Sequence, residues 1–412
     1  MFEWSEEQRM IREAVRQFVD AEIRPRRDEL EHGDLPPYDI IRSLFKTFGM
    51  DAMARESFKR HVERQRLADE RGEQAVASSD EESEGGGGGG GSMMLLPIIE
   101  LCRCSPGIVG SMGVSLGLAA GTIMSRGTLE QKERWALDLL TGDKVGAWAI
   151  TEPDSGSDAI GSMRSTAVRD GEEYVLNGSK TFITNGPYAD TIVFYAKLDE
   201  GNPPKERKVL TFVLDTGMEG LVQSPPLRKM GFHSSPTGEL FLTDVRVGRD
   251  RLLGGEGDAN AGRESAKANF VTERAGIAAM ALGIIEECLA LSVDYAKNRV
   301  QFGQPIGEFQ LIQLKLAKME VARLNVENLV FRVVEMQGAG RTPTLAEASA
   351  MKLYAAQAAT EVALEAVQLF GGNGYMAEFR VEQLARDAKS FQIYAGTDEI
   401  QVTHIARDLL GR

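Results

Sequence analysis

Glu273 and Arg274 stand side by side near the start of a long helical pattern, and their types suit them to proton chemistry on an anionic substrate. A carboxylate taken out of water becomes a stronger base, although an acid in the first turn of a helix is also what the helix dipole favours. Arg299, in the run Arg299-Val300-Gln301-Phe302-Gly303, carries the forked donors that fit a pyrophosphate, or else is a solvated cation at a helix end. Gln368-Leu369-Phe370-Gly371-Gly372-Asn373-Gly374-Tyr375 has the glycines that let a backbone come close to a ligand, and a Gly pair also simply ends helices. Thr151 to Asp158 forms a polar, turn-rich loop. Phe182, inside Asn177 to Gly186, is an apolar wall or a core residue.

These residues need elements to hold them. Ser5 and Gln8 make a capping box, and Ile11, Ala14, Val15 and Phe18 share one face, which predicts a first helix over residues 5 to 24 ended by Pro25. Helical patterns continue to about Leu140. They are interrupted from Gly72 to Ser92 by an acidic, Ser-rich stretch that ends in the glycine run Gly85 to Gly91 and is expected to be a disordered insertion. That run has no Gly-Lys-Ser/Thr ending, so it is not a phosphate-binding P-loop. From about Gly146 to Arg251 the pattern turns to strands. Asp170-Gly171 and Asn177-Gly178 read as hairpin signals, and further strands are expected at Thr191 to Ala196, Val209 to Leu214 and Leu240 to Val247. After a Gly-rich connection, four helical stretches follow: Phe270 to Arg299, Glu308 to Gln337, Leu345 to Phe370 and Thr397 to Leu410.

The expected fold is α+β in three parts: an all-α domain over 1–145, a small β-barrel or sandwich over 146–255, and an antiparallel four-helix bundle over 256–412. No Gly-x-Gly-x-x-Gly follows a strand, which argues against a Rossmann site. The net charge of −14 argues against a nucleic-acid or anionic-membrane surface. The three cysteines have no His at a zinc spacing, so no metal site is expected and reduced, cytoplasmic thiols are. Residues Met1 to Glu7 have no secretory pattern. Cys104 to Ser125 is uncharged and long enough to span a bilayer, but it is rich in Gly and Ser, and its repeat Gly113, Gly117, Gly121 suits a tightly packed helix of a soluble protein. No membrane span is expected.

Several of the runs above resemble the motifs of the acyl-CoA dehydrogenase family. Thr151-Glu152-Pro153-Asp154-Ser155-Gly156-Ser157-Asp158 is similar to its Thr-Glu-Pro-x-x-Gly-Ser-Asp signature, and the matches run nearly the length of the chain outside the insertion. The resemblance implies FAD held by Trp148, Ile150, Thr151, Gly156 and Ser157, by Phe182, Ile183 and Thr184, and by Thr397 and Glu399. Across a subunit interface it implies Arg299, Gln301, Phe302, Phe309 and Gln310, and the Gly-rich turn through Gln368, Gly371 and Gly372. Ser157, Phe270, Arg274 and Gly396 would contact the acyl-CoA. The partners implied are an acyl-CoA, an electron-transfer flavoprotein and further copies of the chain in a homotetramer.

In most of the family a glutamate base stands where this chain has Ala395, in Tyr394-Ala395-Gly396-Thr397. A subset that includes isovaleryl- and long-chain-type enzymes has its base instead in a Glu-Arg pair early in the first long C-terminal helix, which here is Glu273-Arg274. The resemblance therefore implies Glu273 as the base for α,β-dehydrogenation, with the backbone N–H of Ala395 as a donor to the thioester oxygen. The chain departs from the family at Val271, where an Asp is frequent, and at Arg380 and Gln383, where Pro and Arg are usual. Two alternatives stay open on the sequence: a noncatalytic subunit of a heteromeric complex, and a flavin oxidase or monooxygenase on the same fold.

Overall fold

The computed structural model describes residues 3–33, 35–71, 90–255 and 261–411. The insertion expected at 72–92 lies outside the described residues except at its end, where a helix begins at Gly90.

The N-terminal layer comprises α1 (Glu6–Phe18), α2 (Arg27–His32), α3 (Tyr38–Thr47), α4 (Met50–Arg71), α5 (Gly90–Cys102), α6 (Pro106–Gly113), α7 (Gly121–Arg126), α8 (Leu129–Gln131) and α9 (Leu137–Leu140). Ser5 and Gln8 close both halves of the capping box. Pro25 does not end the helical path as expected. It sits in a 3-10 turn, Arg24–Arg26, after a π-turn at Val19–Ile23, and α2 follows at once, because a proline near the start of a helical segment removes only a donor that would be unpaired anyway. A Cβ placed at Gly113 or Gly117 would meet nothing within 4 Å, so the glycine repeat is not a close-packing face. Two helical stretches, Pro106–Arg126 and Asn269–Asn298, are long and apolar enough to cross a membrane, yet more than half of the most apolar part of each is buried inside the protein.

The middle layer is one seven-stranded sheet: β1 (Gly146–Ala149), β2 (Thr166–Asp170), β3 (Glu173–Thr184), β4 (Thr191–Leu198), β5 (Val209–Asp215), β6 (Leu221–Gln223) and β7 (Thr237–Gly248). Its order is β1-β4-β2-β3-β7-β6, with β5 on β4. The Asp170-Gly171 hairpin forms as expected, pairing Asp170 with Glu173. Asn177-Gly178 is not a hairpin but an irregularity inside β3, where the register against β7 shifts. Gly178 has φ 153°, and a Cβ there would fall on the Ser165 hydroxyl, so only glycine lets the strand run on.

The C-terminal layer holds α10 (Ala261–Asn298), a short hairpin of β8 (Val300–Gln301) with β9 (Gln304–Pro305), then α11 (Gln310–Gly338), α12 (Leu345–Phe370), α13 (Val381–Ser390) and α14 (Asp398–Leu409). Helix α13 is one more than the four expected. Val381, Leu384, Ala385, Ala388 and the following Phe391 bury one face at helical spacing. A single apolar core runs from α1 through α5 and α10 to α12 and α13. Charge reinforces that junction: Glu287 of α10 pairs with Arg380 at 2.5 Å, Arg103 at 3.0 Å and Arg24 at 3.3 Å. Arg380 is thus an interior brace between layers, and Gln383 likewise donates to the Cys104 carbonyl at 3.2 Å.

Candidate active site

The turn-rich loop Thr151 to Asp158 meets the sheet through a buried ion pair. Lys180 of β3, with no exposed side chain, reaches Glu152 at 2.8 Å and the Ile150 carbonyl at 3.2 Å. Glu152 also accepts from the backbone N–H groups of Arg164 (2.6 Å) and Ser165 (2.9 Å). Thr181 N–H donates to Thr151 O at 3.0 Å. These bonds fix residues 150–157 against the end of β3, where Phe182 adopts φ 57° and is 68% exposed while Ile183 is buried. An L-residue with a bulky side chain rarely occupies that conformation, and such outliers persist where surrounding structure enforces them. Gly156 and Ser157 are exposed, and a Cβ at Gly156 would meet nothing within 4 Å. Beside them the Trp148 indole donates to Tyr195 Oη at 3.1 Å and lies edge-on to Phe270, with ring centroids 5.9 Å apart. That contact brings the start of α10 to the loop.

Three residues after Phe270, Glu273 is half-buried, and burial raises its carboxyl to about 7 against the lowering pull of Arg274 and Lys352. The Tyr394 phenol is pushed up by burial and by the nearby Glu273. Ala395 has φ 55° and Gly396 φ 91°. The Ala395 carbonyl accepts from Arg274 Nε and Gln401 Nε2, both at 3.0 Å. The Gly396 carbonyl accepts from Gln401 Nε2 at 2.7 Å and Lys352 Nζ at 2.8 Å. Among the described residues no acceptor takes the Ala395 N–H. The turn is held by its carbonyls, one of them through Arg274 next to Glu273, and leaves the Ala395 N–H without an acceptor; a base and a free donor are what removal of a proton α to a thioester needs, the donor stabilising the oxygen that gains charge.

The family models for the acyl-CoA dehydrogenase N-terminal, middle and C-terminal domains match residues 5–58 with 50–143, 147–245 and 260–410. The chain belongs to the acyl-CoA dehydrogenase family. It is an oxidoreductase acting on acyl-CoA, in a family of flavoproteins. An acyl-CoA dehydrogenase of Bacillus subtilis (strain 168) is 38% identical over 99% of both chains. The mitochondrial isovaleryl-CoA dehydrogenase of Pongo abelii is 33% identical over 98% of this chain and 88% of its own. The structure of butyryl-CoA dehydrogenase from Megasphaera elsdenii superposes with TM-score 0.85 at 32% identity, covering all of both chains.

On this acyl-CoA dehydrogenase framework the sequence-derived residues fall into two sets. In the first, Trp148 meets Phe270 and Arg274 meets Ala395, residues 150–152 are bonded to Lys180 and Thr181 just before Phe182, Thr397 caps α14 and Glu399 is exposed in its first turn. The Arg274 guanidinium is buried and turned to Ala395 and to Ser349 Oγ, 3.0 Å away. Arg299, Gln301, Phe302, Gln310, Gln368, Gly371 and Gly372 lie on the exposed face of the C-terminal layer, with Phe309 half-buried beneath Phe302. The Gly-rich turn is braced from α10 by Tyr295, whose hydroxyl accepts from Asn373 at 3.0 Å and whose ring stacks on Phe370.

Lys180, Lys352 and Gln401 escaped the sequence reading. Lys352 carried a signal, because it falls on the apolar face of α12 with Ala348, Met351, Ala355 and Ala359, and a lysine there must serve a buried partner. Lys180 and Gln401 carried none, since their acceptors are main-chain or distant groups.

Proposed function

We propose that this protein is an FAD-dependent acyl-CoA dehydrogenase that converts an acyl-CoA to its trans-2-enoyl-CoA, with Glu273 as the base. The observation that supports the reading is that Arg274, the residue after Glu273, bonds the Ala395 carbonyl, while the Glu273 carboxyl is raised to about 7 and the Ala395 N–H has no acceptor among the described residues. The open backbone at Gly156, where a Cβ would meet nothing within 4 Å, and the exposed ring of Phe182 are what a flat flavin ring would need to lie against. When bound, FAD supplies the acceptor for the β-hydrogen and its electrons. The chain's own residues do the rest. Glu273 takes the α-proton, Ala395 N–H donates to the thioester oxygen, and burial around Tyr394 and Phe270 keeps water from competing.

The exposed Arg299–Gln310 segment and the Gly371–Gly372 turn support a site completed across a subunit interface, as in a homotetramer. The acyl chain is of the fatty or branched-chain class, the electron acceptor an electron-transfer flavoprotein and the compartment the cytoplasm.

Glu273→Gln removes the proposed base and leaves the fold its shape. It is expected to bind FAD normally and to lose anaerobic bleaching of the flavin by acyl-CoA by roughly 10²–10⁴-fold or more. Normal bleaching in that variant would sink the assignment of Glu273. In the unsubstituted protein kcat/KM should rise with pH toward a plateau above about 7, because only the deprotonated carboxylate accepts a proton.

A further inference from the structure

Lys352 is a charged group buried in a helix interior with no role in the chemistry described above. Its side chain is fully buried on the apolar face of α12, an arrangement that is costly unless the ammonium is bonded and its charge compensated. Its bonds go to one place. Nζ donates to the Gly396 carbonyl at 2.8 Å and lies 3.7 Å from Asp398 Oδ1, so it spans the turn from Gly396 to the first residue of α14. Asp398 is itself held, accepting at Oδ2 from Gln392 at 2.8 Å and Gln357 at 3.2 Å.

The turn that Lys352 holds cannot be held by side-chain bulk. A Cβ at Gly396 would come within 2.8 Å of Gln401 Nε2 and 3.0 Å of Arg274 Nη2. The left-handed pair Ala395-Gly396 therefore depends on its carbonyl acceptors, and Arg274, Gln401 and Lys352 are the three side chains that supply donors to them. Lys352 differs from Gln401 in bringing a full charge. The charged and titratable groups around Glu273 are Arg274 on its own helix, Lys352 from α12, Asp398 from the start of α14, Tyr394 from the preceding loop and, behind Tyr394, Cys102 of α5.

We propose that Lys352 is a positioning residue with two separable tasks: its ammonium fixes the Ala395-Gly396 turn through the Gly396 carbonyl, and its charge helps keep Glu273 ionised at neutral pH. The inference rests on the reading of Glu273 as the base. Burial lowers the Lys352 ammonium to about 8, against the raising pull of Asp398, so it carries its charge at pH 7 and loses it in mild alkali. Its attraction for the Glu273 carboxylate acts against the burial that raises the latter.

Two neutral replacements separate the tasks. Lys352→Met loses donor and charge, whereas Lys352→Gln loses the charge and keeps an N–H donor. The experiment compares flavin-loaded protein of each type by the pH profile of kcat/KM and by calorimetric affinity for a non-reacting enoyl-CoA product. Both variants should move the acid limb of the profile upward by about one pH unit, the shift expected when one nearby opposite charge is lost. At pH 6 that is a further loss of about tenfold that is regained in alkali. Enoyl-CoA affinity should fall roughly tenfold in Lys352→Met and less in Lys352→Gln, since one net hydrogen bond to a charged donor is at stake. A uniform loss at every pH with the acid limb in place would overturn the charge role, and equal affinities in the two variants would overturn the donor role. Either variant alone, if it folds, reports the limb. Glu273→Gln run in parallel separates the two ideas: if it still bleaches flavin the base is misassigned, and if it does not, an unmoved limb counts against Lys352.

Discussion

Ala395 and Phe302 adopt nearly the same unusual backbone, φ 55° and φ 53°, and the chain treats them in opposite ways. The Ala395 turn is enclosed, with its own carbonyl and that of Gly396 gripped by Arg274, Gln401 and Lys352. Phe302 tips a two-residue-per-strand hairpin, is 95% exposed and has its ring edge-on to Phe309, 6.0 Å away between ring centres. A conformation that costs of order 1–3 kcal/mol persists only where neighbouring structure enforces it. Ala395 has that structure inside its own chain. At Phe302 the hairpin alone asks for it, since a two-residue loop between paired Gln301 and Gln304 takes positive φ at both central residues, Phe302 and Gly303; its exposed ring is what a surface completed by a second copy would present. Phe182 stands between them: its side chain is open, but its strand is anchored by the Glu152–Lys180 pair.

The harshest way to break this contrast is to remove a brace whose partner stays buried. Lys180→Met leaves Glu152 uncompensated in the interior and should cost about 3–5 kcal/mol, read as a loss of denaturant resistance together with flavin release. Adding Glu152→Gln should recover much of that loss, because the stranded charge goes with it. If the single variant is as stable as the parent, the pair does not hold the loop.

A smaller change tests the inner turn itself. Ala395→Val places a β-branched side chain where φ is positive, so the turn must rearrange and its free N–H must move. We expect kcat to drop on the order of 10²–10³, the usual cost of an oxyanion donor, with flavin content unchanged. Ala395→Gly, which accepts the same φ without strain, should stay within a few-fold of the parent. Equal rates for the Val and Gly variants would show that the donor lies elsewhere.

The sequence carried the motifs better than what supports them. Periodicity and capping located α1, α12 and most strands, because Val15 with Phe18 and Ala355 with Ala359 are local patterns that burial enforces. The pairing proposed for Glu273 and Ala395 came only through resemblance, since the two residues are far apart in sequence and nothing local ties a carboxylate to an alanine. Asn177-Gly178 misled because the same dipeptide serves a hairpin and a strand irregularity, and the deciding contact with Ser165 comes from outside the strand. Helix α13 was passed over although its apolar spacing is regular, because it is short and follows a Gly-rich turn. Lys180 left no mark because its acceptors are a main-chain carbonyl and a distant glutamate, whereas Lys352 left one, a lysine on the apolar face of α12, without showing that its acceptor is the Gly396 carbonyl.

The outer turn offers the mildest and most discriminating test. If Phe302 and Arg299 are braced by a second copy of the chain, flavin retention must depend on protein concentration, since the brace is lost as the assembly dissociates. Phe302→Ala should weaken retention about tenfold through loss of an interface anchor, with unfolding of the isolated chain little changed because the ring is 95% exposed there. Sedimentation alongside flavin fluorescence on dilution would follow both quantities in one sample. The expected pattern is release of flavin in step with dissociation, at higher protein concentration in the variant than in the parent. Release at the same point in both, or release independent of concentration, would mean that the Phe302 ring anchors no second copy, and the contrast with Ala395 would then be one of exposure alone.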